Sequence, residues 1–222
     1  MMTNNLKELE SIQYLERKPR VKTDGNPLML LIHGYGSNEE DLFSFANDLP
    51  DEFHVISVRA VHTIMPGMYA WYDISFTDSG KFNNIPQGLK SMDLLLRFID
   101  AITEKENLDK SQVWLCGFSQ GAILSYSIAL NFPEKIKNVV VLSGYPEPDF
   151  LESKIDDNAY SHLNFFISHG ATDPVIPVEW GRRGKALLDE LKIKNQYHEY
   201  PGGHGVDSSN YRDLLQWMME NK

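Results

Sequence analysis

The chain has 222 residues, of which 42% are hydrophobic and 23% are charged, and its formal net charge is −10. This is the composition of an ordinary globular protein, and the length suits one large α/β domain with a substantial core, residues 1–222. The negative charge argues against nucleic acid and anionic membrane surfaces as partners, because both repel an acidic chain.

The sequence also lacks the segments that direct proteins into or across membranes. No apolar run approaches the ~20 residues that span a bilayer, so stable membrane insertion is not expected. Residues 1–7 do not combine a basic segment with an apolar one, so no signal peptide is predicted. With a single cysteine, Cys116, an internal disulfide is excluded. Together these features favour a cytoplasmic protein.

Predicted strands and helices alternate along the chain. Leu28–Ile32 is a continuous apolar run, as expected of a strand buried on both faces. Ile12–Arg17 alternates apolar and polar residues, which predicts an edge strand. Further strands are predicted at 53–58, 113–116, 139–142, 163–168 and 196–200, and helices at 39–49, 87–106, 122–130, 178–191 and near the C-terminus.

Two segments between these elements have no clean period. The segment 59–73 is rich in methionine and aromatic residues and is either a loop over the core or an apolar wall of a ligand pocket. Residues 77–84 are predicted to be a polar loop. The acidic segment 147–161 is either a small cap or a surface loop.

The alternation predicts an α/β fold, with a mainly parallel sheet and helices on both faces. In such sheets the ligand site forms from loops at the carboxyl ends of the strands. The chain has no internal repeat and no linker long enough to divide it, so one domain is expected.

The segment Gly117-Phe118-Ser119-Gln120-Gly121 stands between a predicted strand and a predicted helix. Gly-x-Ser-x-Gly in this position is the nucleophile-elbow pattern. The turn is so tight that the serine backbone is strained, and the glycines are needed because a Cβ would collide with the neighbouring strand or helix. The pattern predicts that the Ser119 hydroxyl lies at the top of the sheet, beside the positive end of the helix.

A serine hydroxyl is a weak nucleophile near neutrality and needs a base, which in turn is oriented by an acid. After an elbow serine, the expected chain order is Asp or Glu and then His. Asp173 follows a predicted strand and begins the stiff segment Asp-Pro-Val-Ile-Pro. His204 lies among three glycines, where packing gives little reason for a histidine. We therefore predict Ser119, Asp173 and His204 as nucleophile, acid and base.

The other histidines fit no catalytic pattern. His33 and His169 each precede a glycine at the end of a predicted strand, and we interpret both as structural residues that bond to the adjoining loop. No Cys/His ligand spacing is present, so a catalytic metal is not expected. No glycine-rich phosphate loop follows a strand, so no nucleotide or other cofactor is predicted.

Catalysis by a serine also needs two backbone N–H groups directed at the developing oxyanion. One is expected from Gln120, directly after the nucleophile. The other is expected from the loop after the Leu28–Ile32 strand, where Tyr35 or its neighbours are candidates. Gly34 and Gly36 give that loop the freedom to turn an N–H toward the serine.

These motifs resemble those of the phospholipase/carboxylesterase family of α/β-hydrolases, which includes acyl-protein thioesterases and small bacterial carboxylesterases. The resemblance covers nearly the whole chain in the family's order: Leu31-Ile32-His33-Gly34-Tyr35-Gly36, Trp71-Tyr72-Asp73, Gly117-Phe118-Ser119-Gln120-Gly121, His169-Gly170 with Asp173-Pro174-Val175-Ile176-Pro177, and Tyr200-Pro201-Gly202-Gly203-His204.

The resemblance implies an α/β-hydrolase fold with minimal or no cap, and a triad of Ser119, His204 and Asp173. It also implies that the backbone N–H groups of Tyr35 and Gln120 form the oxyanion hole. Further candidates for substrate binding are Trp71, which would face the acyl pocket, Met68 and Val175.

The expected activity is that of a serine carboxylesterase acting on esters with small or short-to-medium acyl groups through an acyl-enzyme. The loop before Trp71 differs from that of the better-known thioesterases, which speaks against long acyl chains. The alternatives are a lysophospholipase or acyl-protein thioesterase with a long-chain pocket and, from another class, a non-catalytic binding module. The choice between ester and thioester, a lid at 147–161 and a homodimer stay open.

Overall fold

The computed structural model describes residues 6–77, 80–152 and 157–222. Within these ranges the strands are β1 (Lys7–Leu9), β2 (Ile12–Arg17), β3 (Leu28–Ile32), β4 (His54–Val58), β5 (His62–Met65), β6 (Met68–Ala70), β7 (Ile74–Thr77), β8 (Gly80–Asn83), β9 (Val113–Phe118), β10 (Asn138–Leu142), β11 (Asn164–Gly170) and β12 (Lys194–Tyr200). The α-helices are α1 (Glu40–Phe43), α2 (Ile85–Lys105), α3 (Gln120–Asn131), α4 (Val178–Glu190) and α5 (Ser208–Asn221). Short 3-10 turns lie at Ser44–Asn47, Pro133–Lys135, Pro148–Phe150 and Asp157–Tyr160.

Eight strands form the central sheet, in the order β1-β2-β4-β3-β9-β10-β11-β12. The six strands from β4 to β12 in this order run parallel. At one side β2 pairs antiparallel with β4, and β1 pairs antiparallel with β2. Every residue of β3, β4, β10 and β11 is buried, as expected of strands covered on both faces. The mainly parallel α/β sheet predicted from the alternation is confirmed.

Helices cover both faces of this sheet. The side chains of Leu28, Leu30 and Ile32 in β3 pack with those of α2, α3 and α4 on one face. The intervening residues Met29 and Leu31 pack with α1 and α5 on the other face. This division follows from the alternation of side chains along a strand. None of the helices in the described ranges is long and apolar enough to cross a bilayer.

Capping side chains define where two of the helices begin. Asn84 precedes α2, and its side chain accepts a hydrogen bond from the N–H of Gln87. Asp207 precedes α5 and accepts from the N–H groups of Ser209 and Asn210, both at 2.8 Å. Such bonds satisfy N–H groups that have no partner inside a helix. α3 differs from these two helices because all of its residues are buried, which suits a helix at the centre of the layer.

The sequence predictions are wrong at three local points. Ile12–Arg17 is not an edge strand, because β1 pairs outside it. The helix predicted at 39–49 is a single α-helical turn followed by the 3-10 turn Ser44–Asn47. The polar loop predicted at 77–84 belongs largely to the β7–β8 hairpin, and the segment before it contains the β5–β6 hairpin. Hairpin partners are invisible to the periodicity of one segment.

The first part of the segment 147–161 packs firmly on the protein. Phe150 is buried, and its ring lies against that of Tyr72, with 5.2 Å between the centroids. A Cβ on Gly88 of α2 would lie 2.2 Å from Phe150 Cζ, so the Phe150 ring packs directly against the backbone of α2. Residues 153–156, in the segment predicted to be a small cap or a surface loop, lie outside the described ranges.

Candidate active site

Ser119 lies between β9 and α3 in a strained turn. Its φ is +52° and its ψ is −112°, a conformation that non-glycine residues adopt only where the surrounding structure imposes it. A Cβ on Gly117 would lie 2.3 Å from the carbonyl oxygen of Gly121, and one on Gly121 would lie 1.9 Å from that of Ile32. Both glycines of the motif are therefore required by close backbone packing, as predicted.

The structure brings the three predicted triad residues together from the ends of three strands of the sheet. His204 Nε2 lies 2.9 Å from Ser119 Oγ, and His204 Nδ1 lies 2.7 Å from Asp173 Oδ2. The His204 loop crosses directly over the end of β11, because a Cβ on Gly170 would lie 2.0 Å from the oxygen of Gly203. This crossing places the imidazole between the acid and the nucleophile.

Solvent exposure differs among the three predicted triad residues. The Asp173 side chain has no exposed surface, whereas the His204 side chain is 16% exposed. Asp173 Oδ1 accepts hydrogen bonds from the N–H groups of Val175 and Ile176, at 2.8 Å and 2.9 Å. These bonds fix the carboxylate, which then accepts from His204 Nδ1 and leaves Nε2 as an acceptor facing the Ser119 hydroxyl.

The two predicted oxyanion donors lie beside the nucleophile. Gln120 is the first residue of α3, where N–H groups have no partner inside the helix. Neither its N–H nor that of Tyr35 donates to any described residue. Gly34 lies against the nucleophile, because a Cβ there would be 3.2 Å from Ser119 Cβ. Because Tyr35 follows Gly34 in this loop, both N–H groups remain candidates for binding an oxyanion.

A hairpin and an ion pair brace the loop that carries Tyr35. The N–H of Gly36 donates to the oxygen of Tyr69 in β6 at 2.8 Å, and the N–H of Tyr69 donates to Ser37 at 2.9 Å. Arg59 lies 4.6 Å from the centre of the Tyr69 ring and pairs with the carboxylate of Glu39. Burial alone would raise the pKa of Glu39, but the hydrogen bonds and charge of Arg59 outweigh it and hold the pKa below its usual value.

His33 supports the same loop from the interior. Its Nε2 accepts from the N–H of Ala60 at 3.0 Å, so the ring proton resides on Nδ1, which donates to the oxygen of Gly34 at 2.7 Å. The side chain is fully buried, and burial lowers the pKa of His33. The interpretation of His33 as a structural histidine bonded to its loop agrees with this geometry.

Trp71 does not face a pocket as the resemblance implied. Its side chain has no exposed surface, and its indole N–H donates to the oxygen of His33 at 3.0 Å. The side chain of Gln120 accepts from the N–H of Trp71 at 2.8 Å and donates to the oxygen of Tyr72 at 2.7 Å. The indole is therefore a buried support of the site, because the hydrogen bonds to Gln120 hold the chain after β6 against α3.

The other two predicted substrate contacts lie at the surface. Val175 is 53% exposed on the loop that carries Asp173. Met68 is 36% exposed at the start of β6, and its terminal methyl group lies 3.3 Å from where a Cβ of Gly36 would be. Both residues thus border segments of the site, and both remain candidates for substrate contact.

A cavity of about 610 Å³, which was not predicted, is lined in part by the loop that follows β10. Its wall residue Tyr145 follows Gly144, which packs so tightly that a Cβ there would be 2.4 Å from Cβ of Ala122 in α3. The lining residues are Asn83, Ile85, Tyr145, Pro146, Glu147, Pro148, Asp149, Leu151, Trp180, Arg183 and Leu187. They come from separate segments of the chain, which explains why no local sequence pattern indicated the cavity.

Aromatic and charged groups share the wall of this cavity. The rings of Tyr145 and Trp180 meet edge to face at 4.6 Å. Asn83 donates to the hydroxyl of Tyr145 at 3.0 Å and to the carboxylate of Glu147 at 2.5 Å. The guanidinium of Arg183 lies 5.3 Å from the centre of the Trp180 ring. The cavity therefore suits an apolar ligand group that is compact. It does not suit a long aliphatic chain.

The topology of the sheet and the strained serine between β9 and α3 define an α/β-hydrolase fold. A carboxylesterase from Bacillus cereus has this fold, with a TM-score of 0.81 over 95% of both chains and 20% identity. The family model described as Phospholipase/Carboxylesterase matches residues 19–221, and the chain belongs to this family of hydrolases.

Several relatives of the chain carry the name acyl-protein thioesterase 1. The protein from Yarrowia lipolytica is 30% identical over 159 residues, which cover 69% of this chain and 69% of that protein. The protein from Debaryomyces hansenii is 27% identical over 158 residues, which cover 70% of this chain and 67% of that protein. Both the family and the fold inferred from the motifs are thereby confirmed.

Proposed function

We propose that residues 1–222 act as one serine hydrolase domain that cleaves carboxylic esters with small or short-to-medium acyl groups. The observation that carries this proposal is the continuous hydrogen-bonded chain from Ser119 Oγ through His204 to Asp173. The two free N–H groups of Tyr35 and Gln120 supply the remaining requirement, a site for the oxyanion.

The reaction proceeds in two halves through an acyl-enzyme. Ser119 Oγ attacks the ester carbonyl while its proton passes to His204 Nε2, and the carbonyl oxygen becomes an oxyanion bound by Tyr35 and Gln120. Asp173 stabilises the charged imidazole. The tetrahedral intermediate then loses the alcohol, which takes the proton from His204. Water attacks the acyl-enzyme in the same way and releases the acid and Ser119.

The cavity lined by Tyr145 and Trp180 supports the assignment of a short or medium acyl group. Glu147, Asp149 and Arg183 line it together with the Tyr145 and Trp180 rings. A long unbranched chain would desolvate these charged groups without pairing them, which is unfavourable. The second candidate function is that of an acyl-protein thioesterase. It is favoured by the size of the cavity, which is within the usual range for small-molecule sites, and by the names of the two relatives.

Three further expectations accompany this proposal. The substrate is a small-molecule ester or thioester, and we propose a cytoplasmic enzyme that does not insert stably into membranes. A homodimer would leave the triad unchanged, because the chain itself supplies all three residues. A non-catalytic binding module is the lowest-ranked function, since such a protein has no need of an assembled triad.

Labelling with a fluorophosphonate, followed by hydrolysis of p-nitrophenyl esters of rising chain length, tests the proposal. We expect labelling at Ser119 and the highest kcat/KM with short or medium acyl groups. Ser119→Ala should lower kcat by at least about 10⁴-fold without unfolding the protein. Ser125→Ala is the matched control, because Ser125 lies in the same helix and its hydroxyl donates to the oxygen of Gly121.

The outcomes separate the candidate functions. Highest activity on long acyl chains would favour a lysophospholipase or a thioesterase. Absence of labelling in folded protein would reject the hydrolase assignment of this site and favour a binding module. Equal activity of Ser119→Ala and the wild type would reject Ser119 as the nucleophile.

A further inference from the structure

A second histidine contacts the carboxylate of the proposed acid. His169 lies at the end of β11 and has no exposed surface. Its Nε2 lies 2.8 Å from the oxygen of Ile176 and 3.4 Å from Asp173 Oδ2. Asp173 Oδ2 is also the oxygen bonded to His204 Nδ1. One carboxylate oxygen therefore lies between two imidazole rings.

The contacts of His169 fix its tautomer. A carbonyl oxygen only accepts hydrogen bonds, so Nε2 must carry the hydrogen that it donates to Ile176. Nδ1 is buried and bonds to no described residue. It lies against α4, where a Cβ on Gly181 would be only 2.7 Å away. The ring is thus held in one orientation, with its single N–H directed at the Asp173 loop.

This N–H holds the other donors of the loop in place. By binding the oxygen of Ile176, His169 anchors the same peptide segment whose N–H groups, from Val175 and Ile176, donate to Asp173 Oδ1. Rotation of the carboxylate would break these bonds and the contact of Oδ2 with His169. No water can replace the lost donors, because the Asp173 side chain is fully buried.

We propose that His169 is a positioning residue that acts through Asp173. It fixes the plane of the carboxylate, and the carboxylate in turn fixes His204 in the orientation that accepts the Ser119 proton. The inference rests on the proposed function, because it assumes that these three residues form a working triad. His169 touches neither the nucleophile nor the base, and its effect on the reaction is entirely indirect.

Three variants test this role by the reach of the side chain. Gln at position 169 places an amide N–H where Nε2 of the imidazole lies, whereas Asn has the same amide on a side chain one methylene shorter. We expect His169→Gln to keep kcat within about fivefold of the wild type and His169→Asn to lose about 10- to 100-fold, the cost of misplacing a catalytic group by about 1 Å. His169→Leu, which removes the donor, should resemble His169→Asn.

The readouts distinguish positioning from a general loss of structure. We expect KM to change little, and the downfield proton resonance of the His204 Nδ1–H···Asp173 hydrogen bond to weaken or vanish in the Asn and Leu variants and persist in the Gln variant. His198→Leu is the matched control, because His198 lies on the neighbouring strand β12 but on the opposite face of the sheet, where its ring stacks on that of Phe166 with 5.2 Å between the centroids.

Either of two results would overturn the inference. One is wild-type kcat and an unchanged resonance in a folded Asn or Leu variant, and the other is an equal loss in the Gln, Asn and Leu variants, which would indicate packing alone. If one variant fails to fold, the comparison of the remaining two with the wild type decides. Fluorophosphonate labelling of the wild type keeps the two proposals apart: an unreactive wild type rejects the triad itself, whereas with a reactive wild type the three variants decide the role of His169.

Discussion

The two sides of Ser119 are built from different kinds of contact. On the β3 side, which we call the oxyanion side, the loop with Tyr35 is held by backbone hydrogen bonds to the β6 strand and by the tight approach of Gly34. On the β11 and β12 side, which we call the triad side, Asp173 and His204 meet through side-chain atoms. The first side depends on the shape of the chain, whereas the second depends on the identity of single functional groups.

This contrast predicts different kinds of sensitivity to mutation. Substitution on the triad side removes a chemical group and leaves the fold intact. Substitution on the oxyanion side moves the backbone, so it affects stability together with rate. The following changes test this contrast, in decreasing order of expected effect.

After Ser119→Ala, the largest effect on the triad side should come from Asp173→Asn. The amide can donate to His204 and stabilise the wrong tautomer, so we expect kcat to fall by about 10⁴-fold. Steady-state kinetics and circular dichroism check this together, because the fold should persist. Asp189→Asn, which changes an exposed carboxylate paired with Lys185, should leave kcat unchanged. A modest loss from Asp173→Asn would show that this carboxylate does not orient the base.

On the oxyanion side, Gly34→Ala adds one methyl group 3.2 Å from Ser119 Cβ and from the ring of Phe118. The loop must move to relieve this contact, and the Tyr35 N–H moves with it. We expect kcat to fall by about 10²- to 10³-fold, the usual effect of losing one oxyanion donor, with a lower melting temperature. A variant with wild-type kcat would remove the Tyr35 N–H from the mechanism.

The side chain of Gln120 should matter for stability more than for rate. Gln120→Leu retains the backbone N–H of residue 120 but leaves the N–H of Trp71 and the oxygen of Tyr72 without partners. We expect a loss of about 2–5 kcal/mol in the free energy of unfolding, from two unpaired buried groups. Urea unfolding measures this loss, and exposed Gln216→Leu should stay within about 0.5 kcal/mol of the wild type.

The smallest effect should be a pH dependence of stability at His33. Burial lowers the pKa of His33 in the folded protein, so the unfolded chain binds more protons once the pH falls below about 6.5. Stability is therefore complete above that pH and is lost on acidification, by up to about 1.4 kcal/mol per pH unit for one histidine.

The variant His33→Gln isolates this contribution. Glutamine does not titrate, and its side-chain oxygen can accept from the N–H of Ala60 in place of Nε2. The unfolding free energy of this variant should depend less steeply on pH between about 7 and 5. An unchanged slope would assign the acid sensitivity elsewhere, and His54 is the first candidate, because burial also lowers its pKa.

The same contrast explains what can be predicted from the sequence. Motifs identify Ser119, Asp173 and His204 because their proposed function needs those side chains at the ends of strands. The Leu28–Ile32 strand is recognisable because burial on both faces leaves a continuous apolar run. In these cases one local segment contains the whole signal.

Features that need distant partners are missed or misread. The resemblance implies that Trp71 faces a pocket, but its burial follows from contacts with His33 and Gln120, which no local pattern encodes. The β7–β8 hairpin is predicted to be a loop for the same reason. The cavity beside Tyr145 arises only once separate segments of the chain converge. His169 and Asp173 are only four residues apart, but their contact depends on the path of the loop after β11, which no periodicity indicates.

The packing of Gly121 also limits which positions of this enzyme can accept substitutions. Because a Cβ at position 121 would lie 1.9 Å from the carbonyl oxygen of Ile32, even alanine at that position pushes α3 away from the sheet. In a saturation library, position 121 should therefore be depleted in a screen for protein abundance, whereas position 119 should be depleted only in a screen for turnover. Changes in substrate range should therefore come from substitutions of residues around the elbow, while the elbow residues themselves stay unchanged.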